Sequence, residues 1–128
     1  MTAMSDFLEN EILDHVLGTG SYTMPSAPHI ALSTGSFGDD NSGTELSGSA
    51  YTRKPIAFAA ASSASAATNA TVTFPTATGS WGAVAFWGIF DASTSGNLLI
   101  HGAFAASKTI GNGDVLRINS GDLTVTAA

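Results

Sequence analysis

The chain's length, low charge and lack of cysteine restrict what it can be. Its 128 residues suffice for one domain with a core of its own, and we predict a single domain over residues 1–128. Charged residues make up only 11% of the chain, against about 25% in an average domain, and the net charge is −6. Four scattered Lys and Arg side chains exclude a nucleic-acid partner, and the absence of cysteine excludes disulfides and thiolate metal sites.

The sequence also lacks membrane and export signals. No apolar stretch approaches the roughly 20 residues of a spanning helix, so we expect no membrane partner. The first residues contain no basic segment followed by an apolar run, so we expect no signal peptide and synthesis in the cytoplasm. A surface this poor in charge suits a protein packed against neighbouring molecules.

Residues 5–17 carry the one clear helical pattern. Ser5 is a good N-cap, and Gly18 ends the pattern. The predicted apolar stripe consists of Leu8, Ile12 and Val16, with Leu13 and Leu17 in an adjacent row. The predicted acidic positions are Asp6, Glu9 and Asp14. The N-terminal part of the chain therefore forms an amphipathic α-helix.

This helix is the candidate assembly interface. A helix of about 13 residues is marginal alone, so it must dock either on its own domain or on a neighbouring subunit, and the sequence leaves both open. The interface hypothesis assigns apolar contacts to Leu8, Ile12 and Val16, and polar contacts to Asp6, Glu9 and Asp14.

The remaining chain, residues 28–128, has the short alternating runs and frequent turns of an antiparallel β-sandwich, Ig-like or jelly-roll-like. The predicted strands are His29–Thr34, Thr52–Phe58, Ala70–Phe74, Trp81–Phe90, Leu98–Phe104, Val115–Ile118 and Leu123–Val125. Residues 35–49 are predicted to form a long polar loop, functional or mobile. Residues 59–70, nearly all Ala, Ser and Thr, are predicted to be a strand edge or a loop.

The strand from Trp81 to Phe90 is apolar on both faces and is predicted to be central and covered on both sides. One face is predicted to carry Val84, Phe86 and Phe90, and the other Ala83, Ala85, Trp87 and Ile89. Residues 91–97 form a polar turn, so this strand and the next make the best hairpin in the sequence. Trp81 and Trp87 are predicted to lie in the core rather than in a sugar-binding groove.

The sequence offers no recognisable catalytic or metal-binding arrangement. It lacks a Gly-x-Ser-x-Gly elbow, and its histidines lack ligand spacing. The carboxylates that could serve as a catalytic pair share one loop that is expected to be flexible, which is a poor place for precise geometry. The same loop lacks the spacing of a calcium-binding loop, so we expect its carboxylates to be solvated. The side chains considered were His15, His29 and His101, and Asp39, Asp40 and Glu45. We therefore predict no enzyme, no cofactor and no metal.

Several ordered blocks carry a resemblance over nearly the whole chain. They cover residues 7–18, 28–34, 51–58, 72–82, 110–114 and 121–125. The most specific is Gly88-Ile89-Phe90-Asp91-Ala92 followed by Gly96-Asn97-Leu98-Leu99. In order and spacing they resemble a family of short virion proteins of tailed bacteriophages, labelled tail fibre, head fibre or capsid decoration protein. The resemblance implies a place on the virion.

Two functions follow as expectations. The first is a capsid decoration or cement protein that binds the outer head surface, contacts the major capsid protein and forms a homo-oligomer, with a trimer expected. The alternative is a tail or neck fibre component that contacts host surface glycans. The number of copies in each particle distinguishes the two functions, because a head-surface protein is present in far more copies than a tail or neck protein.

Overall fold

The computed structural model describes residues 2–127, and within that range it contains one helix and nine strands. The helix α1 spans Asp6–Leu17. The strands are β1 (Thr2–Met4), β2 (His29–Ser33), β3 (Lys54–Pro55), β4 (Ser65–Ala67), β5 (Val72–Thr73), β6 (Gly82–Phe90), β7 (Leu98–Ile110), β8 (Arg117–Ile118) and β9 (Thr124–Thr126). The predicted all-β class with an N-terminal helix is confirmed.

The strands form two layers. One is a five-stranded sheet in the order β1-β7-β6-β2-β3, and every paired strand in it is antiparallel. The other consists of two short antiparallel ladders, β4-β9 and β5-β8. The predicted sandwich is confirmed, although its second layer is two separate ladders rather than one full sheet.

The main core fills the space between these layers. Ile30 and Leu32 of β2 and Trp87 and Ile89 of β6 pack against apolar side chains of the second layer. Those partners include Val72, Phe74, Leu116, Ile118 and Leu123. On the opposite face of the large sheet a smaller cluster contains Ala31, Phe37, Phe90 and Leu98. Strand β6 is therefore covered on both sides, and both tryptophans are buried in the main core as predicted.

A bulge in the β6–β7 hairpin corrects the predicted face of Val84. Phe86 pairs with Ala103 but Val84 pairs with Lys108, so residues 104–107 of β7 lie opposite Ala85 alone. Extra residues break the period-two alternation of a strand pair. Val84 therefore joins Trp87 in the main core instead of sharing a face with Phe90.

Several predicted strand boundaries were wrong. The strand predicted at Thr52–Phe58 is reduced to Lys54–Pro55, at the sheet edge where Pro55 belongs. The strand predicted at Ala70–Phe74 contains only Val72–Thr73, and the one at Val115–Ile118 only its last two residues. Strand β1 was not predicted, because three residues are too few to show a period. Strand β7 runs six residues beyond Phe104. This extension was not predicted, because residues 105–109 are exposed and show no apolar alternation.

The long loop of residues 35–49 is irregular but well anchored. Phe37 is fully buried and meets the Phe90 ring edge-on, with centroids 5.7 Å apart. The Leu46 amide donates to the Leu32 carbonyl (3.0 Å), and the Gly43 amide donates to the Phe37 carbonyl (2.8 Å). The predicted long polar loop is therefore present, and Phe37 anchors it to the sheet.

Candidate assembly surface

Local hydrogen bonds define both ends of α1. The Ser5 hydroxyl oxygen accepts from the Leu8 amide (3.1 Å), as a side-chain N-cap does. Gly18 takes a left-handed conformation (φ 80°), and its amide donates to the Asp14 carbonyl. The predicted cap residues therefore place the helix ends where the structure has them.

The first turn of the helix is fixed to the sandwich. The buried Ser5 donates from its amide to the Leu99 carbonyl (2.8 Å) and from its hydroxyl to the Leu98 carbonyl. The Asp6 amide donates to the Asp39 carbonyl of the long loop (2.9 Å). Leu8 is only 6% exposed. The start of the helix thus docks on its own domain.

The second half of the helix leaves the sandwich surface. Ile12 is half-buried, whereas Val16 is 71% exposed and Leu13 and Leu17 are also exposed. We call Leu13, Val16 and Leu17 the apolar helix end. In the connection that follows, Met24 is 80% exposed. Four of the five large apolar residues that are exposed in residues 2–127 thus lie between positions 13 and 24; the fifth is Val115.

Beside the helix lies an open apolar groove of about 380 Å³. Its lining residues come from α1, the connection to β2, the segment before β4, and strands β4, β6, β7 and β9. The lining residues are Leu8, Ile12, Tyr22, Pro25, Pro28, Phe58, Ala66, Ile89, Leu99, Ile100 and Val125. Apart from the Tyr22 hydroxyl, these side chains offer no polar group, so the groove favours apolar contacts.

Helix α1 also carries several carboxylates. Asp6, Glu9 and Asp14 are exposed on α1, and Glu11 is half-buried. The pKa of Tyr22 in the groove wall is raised, first by partial burial and then by the charges of Asp91 and Glu11. No Lys or Arg occurs before Arg53 in the sequence, so α1 and the connection that follows it carry acidic side chains without Lys or Arg.

The structure therefore divides the six residues of the interface hypothesis. Leu8 and Ile12 meet in the groove wall, whereas Val16 does not line the groove and projects from the helix end. Asp6 lies near the fixed end of the helix, while Glu9 and Asp14 are exposed further along it. Tyr22, Pro25 and Met24 were missed, because this connection shows no period from which a face could be assigned.

A second cluster, around Arg53, was also missed by sequence reasoning. The Arg53 guanidinium makes two hydrogen bonds to the Glu45 carboxylate (2.8 and 2.9 Å) and lies 3.8 Å from the centroid of the Phe90 ring. It also donates to the carbonyls of Ala92 (3.0 Å) and Ser95 (2.7 Å). These partners take four of the five guanidinium N–H groups, so the cluster joins the long loop to the turn between β6 and β7.

Tyr51 completes the Arg53 cluster. Its hydroxyl donates to Glu45 (2.6 Å) and accepts from the Leu32 amide (2.9 Å). Burial, and then the hydrogen bond to Glu45, raise the pKa of Tyr51 strongly. A possible sequence signal was the Tyr51-x-Arg53 spacing beside Pro55, since alternate strand residues share a face.

The three histidines lie apart in the described structure. His101 lies 2.7 Å from Asp39, and His15 accepts a hydrogen bond from the Tyr22 amide (3.2 Å). His29 lies 2.8 Å from the Ala27 carbonyl. Within residues 2–127, no group of three or more His, Asp or Glu side chains is arranged to hold a metal. In the same range no helix is long and apolar enough to cross a membrane.

Comparison with known proteins identifies the family. No curated protein matches the chain at a significant level. A family model described as "Podophage GP4 fiber I protein gp80" matches residues 3–126, almost the entire chain. This confirms the resemblance found in the sequence. The chain belongs to this family of fibre proteins of short-tailed phages and is a virion structural component, assembled after synthesis in the host.

Proposed function

We propose that this protein is a fibre component that attaches to another virion protein through the apolar helix end and the adjoining groove. The observation that carries the proposal is the concentration of exposed apolar side chains on one helix and the connection after it. Large exposed apolar surfaces on soluble proteins mark sites of interaction. Covering each such side chain contributes roughly 1.5–3 kcal/mol when burial is complete.

The architecture supports an assembly role. Residues 2–127 form a sandwich without an elongated repeat, so this part of the chain contributes a compact unit to a larger assembly. We propose a homo-oligomer, with three-fold symmetry as the expectation, formed through the weakly charged sandwich surface. Exposed ion pairs contribute only about 0–1 kcal/mol each, so such an oligomer should persist at high salt. Sedimentation at low and high salt tests this.

The position on the particle remains a proposal. The family description favours a fibre, whereas a decoration protein on the major capsid protein would use the same apolar surface. Copy number in purified particles distinguishes them, since hundreds of copies imply the head surface and tens or fewer imply the neck or tail. We propose no catalytic role. A fibre that contacts host glycans would do so through the exposed surface of the sandwich rather than through α1.

A reconstitution experiment tests the attachment surface. Purified protein is added to particles that lack it, and the bound amount is compared for the wild type, for Val16→Ser with Leu17→Ser, and for Val115→Ser. Val115 is the matched control because it is an exposed apolar residue outside this surface. We expect loss of binding only for the helix variant. Equal binding of all three proteins would contradict the proposal.

A further inference from the structure

A polar cleft of about 280 Å³ opens where the end of the long loop, the connection to β3 and the β6–β7 turn meet. Its lining residues fall in two segments, 45–53 and 93–95, and none of them lies in a strand. Eight of the ten lining residues have a polar side chain, and six of these eight bear a hydroxyl group. Loops that a rigid scaffold positions often carry binding sites. The cleft is therefore a candidate site for a polar ligand.

Arg53 and Glu45 bring an unused donor and an unused acceptor to this cleft, which both residues line. Four of the five guanidinium N–H groups have partners, and the fifth, on Nη2, has none among residues 2–127. Nη2 lies 2.8 Å from Oε1 of Glu45, which accepts no other hydrogen bond in that range and belongs to a side chain that is 25% exposed. Two adjacent hydroxyl groups match such a pair, because one can accept from the N–H while the other donates to the carboxylate.

The contacts around this pair hold it in place before a ligand arrives. Two further N–H groups of Arg53 are bound to carbonyls of the β6–β7 turn. The Tyr51 hydroxyl donates to Oε2 of Glu45 (2.6 Å) and accepts from the amide of Leu32 in β2 (2.9 Å). A pair that is already ordered loses little conformational freedom when it binds a ligand. The floor of the cleft is thus preorganised.

Charge and architecture disfavour other classes of ligand. The charge of Arg53 is balanced by Glu45, and the whole protein has a net charge of −6, so an anion gains little here. An apolar ligand would cover hydroxyl groups without giving them hydrogen-bond partners, which is unfavourable. A peptide that adds a strand needs an open sheet edge, whereas the cleft is formed by a loop and a turn. A neutral ligand rich in hydroxyl groups fits best.

We propose that the cleft binds a neutral sugar residue through two adjacent hydroxyl groups, one accepting from Arg53 and the other donating to Glu45. The Tyr51 ring packs against Phe74 and Trp81, so recognition depends on hydrogen bonds rather than on stacking against an exposed ring. We therefore expect millimolar affinity for a single sugar, which several copies on one particle would strengthen through avidity. The site is separate from the proposed attachment surface, because it shares no residue with the apolar groove or the apolar helix end.

A titration of the full-length, ¹⁵N-labelled protein followed by NMR tests the proposal. The probes are the methyl glycosides of glucose, galactose, mannose, rhamnose and N-acetylglucosamine. Tetrahydropyran-2-methanol is the matched control, because it has a similar ring without adjacent hydroxyl groups, and inorganic phosphate is the control for anion binding. We expect at least one glycoside to give saturable shifts of amide signals in residues 45–53 and 93–95, and neither control to do so.

Protein variants locate the binding. Ser93→Trp places a bulky side chain in the cleft from the β6–β7 turn, and Thr52→Trp does so from the other wall; both residues are exposed, and neither belongs to the Arg53 cluster. Each variant should weaken the glycoside at least about tenfold, with the amide spectrum reporting that the fold is retained. Ser120→Trp is the control, because Ser120 is an exposed serine in the turn before β9, outside the cleft, and it should leave the affinity unchanged.

Any of four results would overturn the proposal: no shift with any glycoside, shifts that map outside the cleft, equal binding of tetrahydropyran-2-methanol, or undiminished affinity in both cleft variants. Saturable shifts of the same amides with phosphate would also contradict it, because the cleft would then be an anion site. Ser93→Trp should bind particles as the wild type does, whereas the Val16→Ser, Leu17→Ser variant should still bind the sugar. Failure of the sugar site is therefore distinguishable from failure of the attachment function.

Discussion

At the scale of single residues, Arg53 connects parts of the chain that are far apart in sequence. Its guanidinium is almost completely buried, and it joins Glu45 in the long loop to the carbonyls of Ala92 and Ser95 in the β6–β7 turn. A buried charge pair is costly to break when one partner is removed, because the other charge is left unpaired. Arg53 therefore holds two loops that no regular secondary structure connects.

We expect Arg53→Ala to lower the free energy of unfolding by about 3 kcal/mol, because it leaves Glu45 and two carbonyls without their donor. Arg117→Ala is the control, since Arg117 is exposed, and it should change stability by no more than about 0.5 kcal/mol. Urea unfolding measures both variants. A similar small loss in the two would show that the Arg53 cluster contributes nothing beyond an ordinary surface pair.

Tyr51 makes stability depend on alkaline pH. Burial and the hydrogen bond to Glu45 raise its pKa in the folded protein well above the usual value of about 10, so the folded state keeps the proton after the unfolded state has lost it. The stabilisation is complete below about pH 10 and decreases as pH rises above that value. We expect urea unfolding at about pH 11 to show lower stability than at about pH 8. Tyr51→Phe should reduce this slope, and an unchanged slope would exclude Tyr51 as its source.

At the scale of elements, the turn of the hairpin that leads into β4 holds two residues other than glycine in the left-handed backbone conformation. Ser62 and Ser65 exchange backbone hydrogen bonds (2.8 and 3.0 Å) around Ser63 and Ala64, both with positive φ (51° and 60°). Two such residues make a type I′ turn, which favours Asn-Gly. A left-handed conformation costs roughly 1–2 kcal/mol for a residue with a Cβ atom.

We therefore expect Ser63→Asn combined with Ala64→Gly to raise the free energy of unfolding by about 1 kcal/mol. Ala60→Gly is the control, because Ala60 lies in the same hairpin and is not among the positive-φ residues; it should stabilise nothing. Chemical denaturation distinguishes the two. No gain from the turn variant would indicate that the turn is not I′ in solution.

Elements with strong local signals could be predicted from the sequence. The helix was predicted correctly because a cap, an apolar stripe and a terminal glycine agree, and the β6–β7 hairpin because two apolar runs flank a polar turn. The short ladders were poorly delimited, since Val72–Thr73 and Arg117–Ile118 pair over two residues each. The groove could not be predicted, because its shape depends on the path that the connection between α1 and β2 takes across the sandwich. The sequence of this connection has no periodicity from which its path could be inferred.

At the scale of the whole molecule, single-domain behaviour remains a prediction. The main core joins side chains from β2, β6, the second layer and the segment around Trp81. We expect thermal unfolding to give one transition, with the same midpoint by far-UV circular dichroism and by tryptophan fluorescence. Two transitions would show that the second layer unfolds independently.

The central claim is that the exposed end of α1 is covered in the virion. The sequence contains no cysteine, so a thiol introduced by Val16→Cys is a unique reporter at that position. Its rate of reaction with a maleimide reagent is measured in the free protein and in assembled particles, with Val115→Cys as the control for general access. We predict that the Val16→Cys thiol reacts readily when the protein is free and is protected in the particle. Equal reactivity in the two states would contradict attachment through this helix.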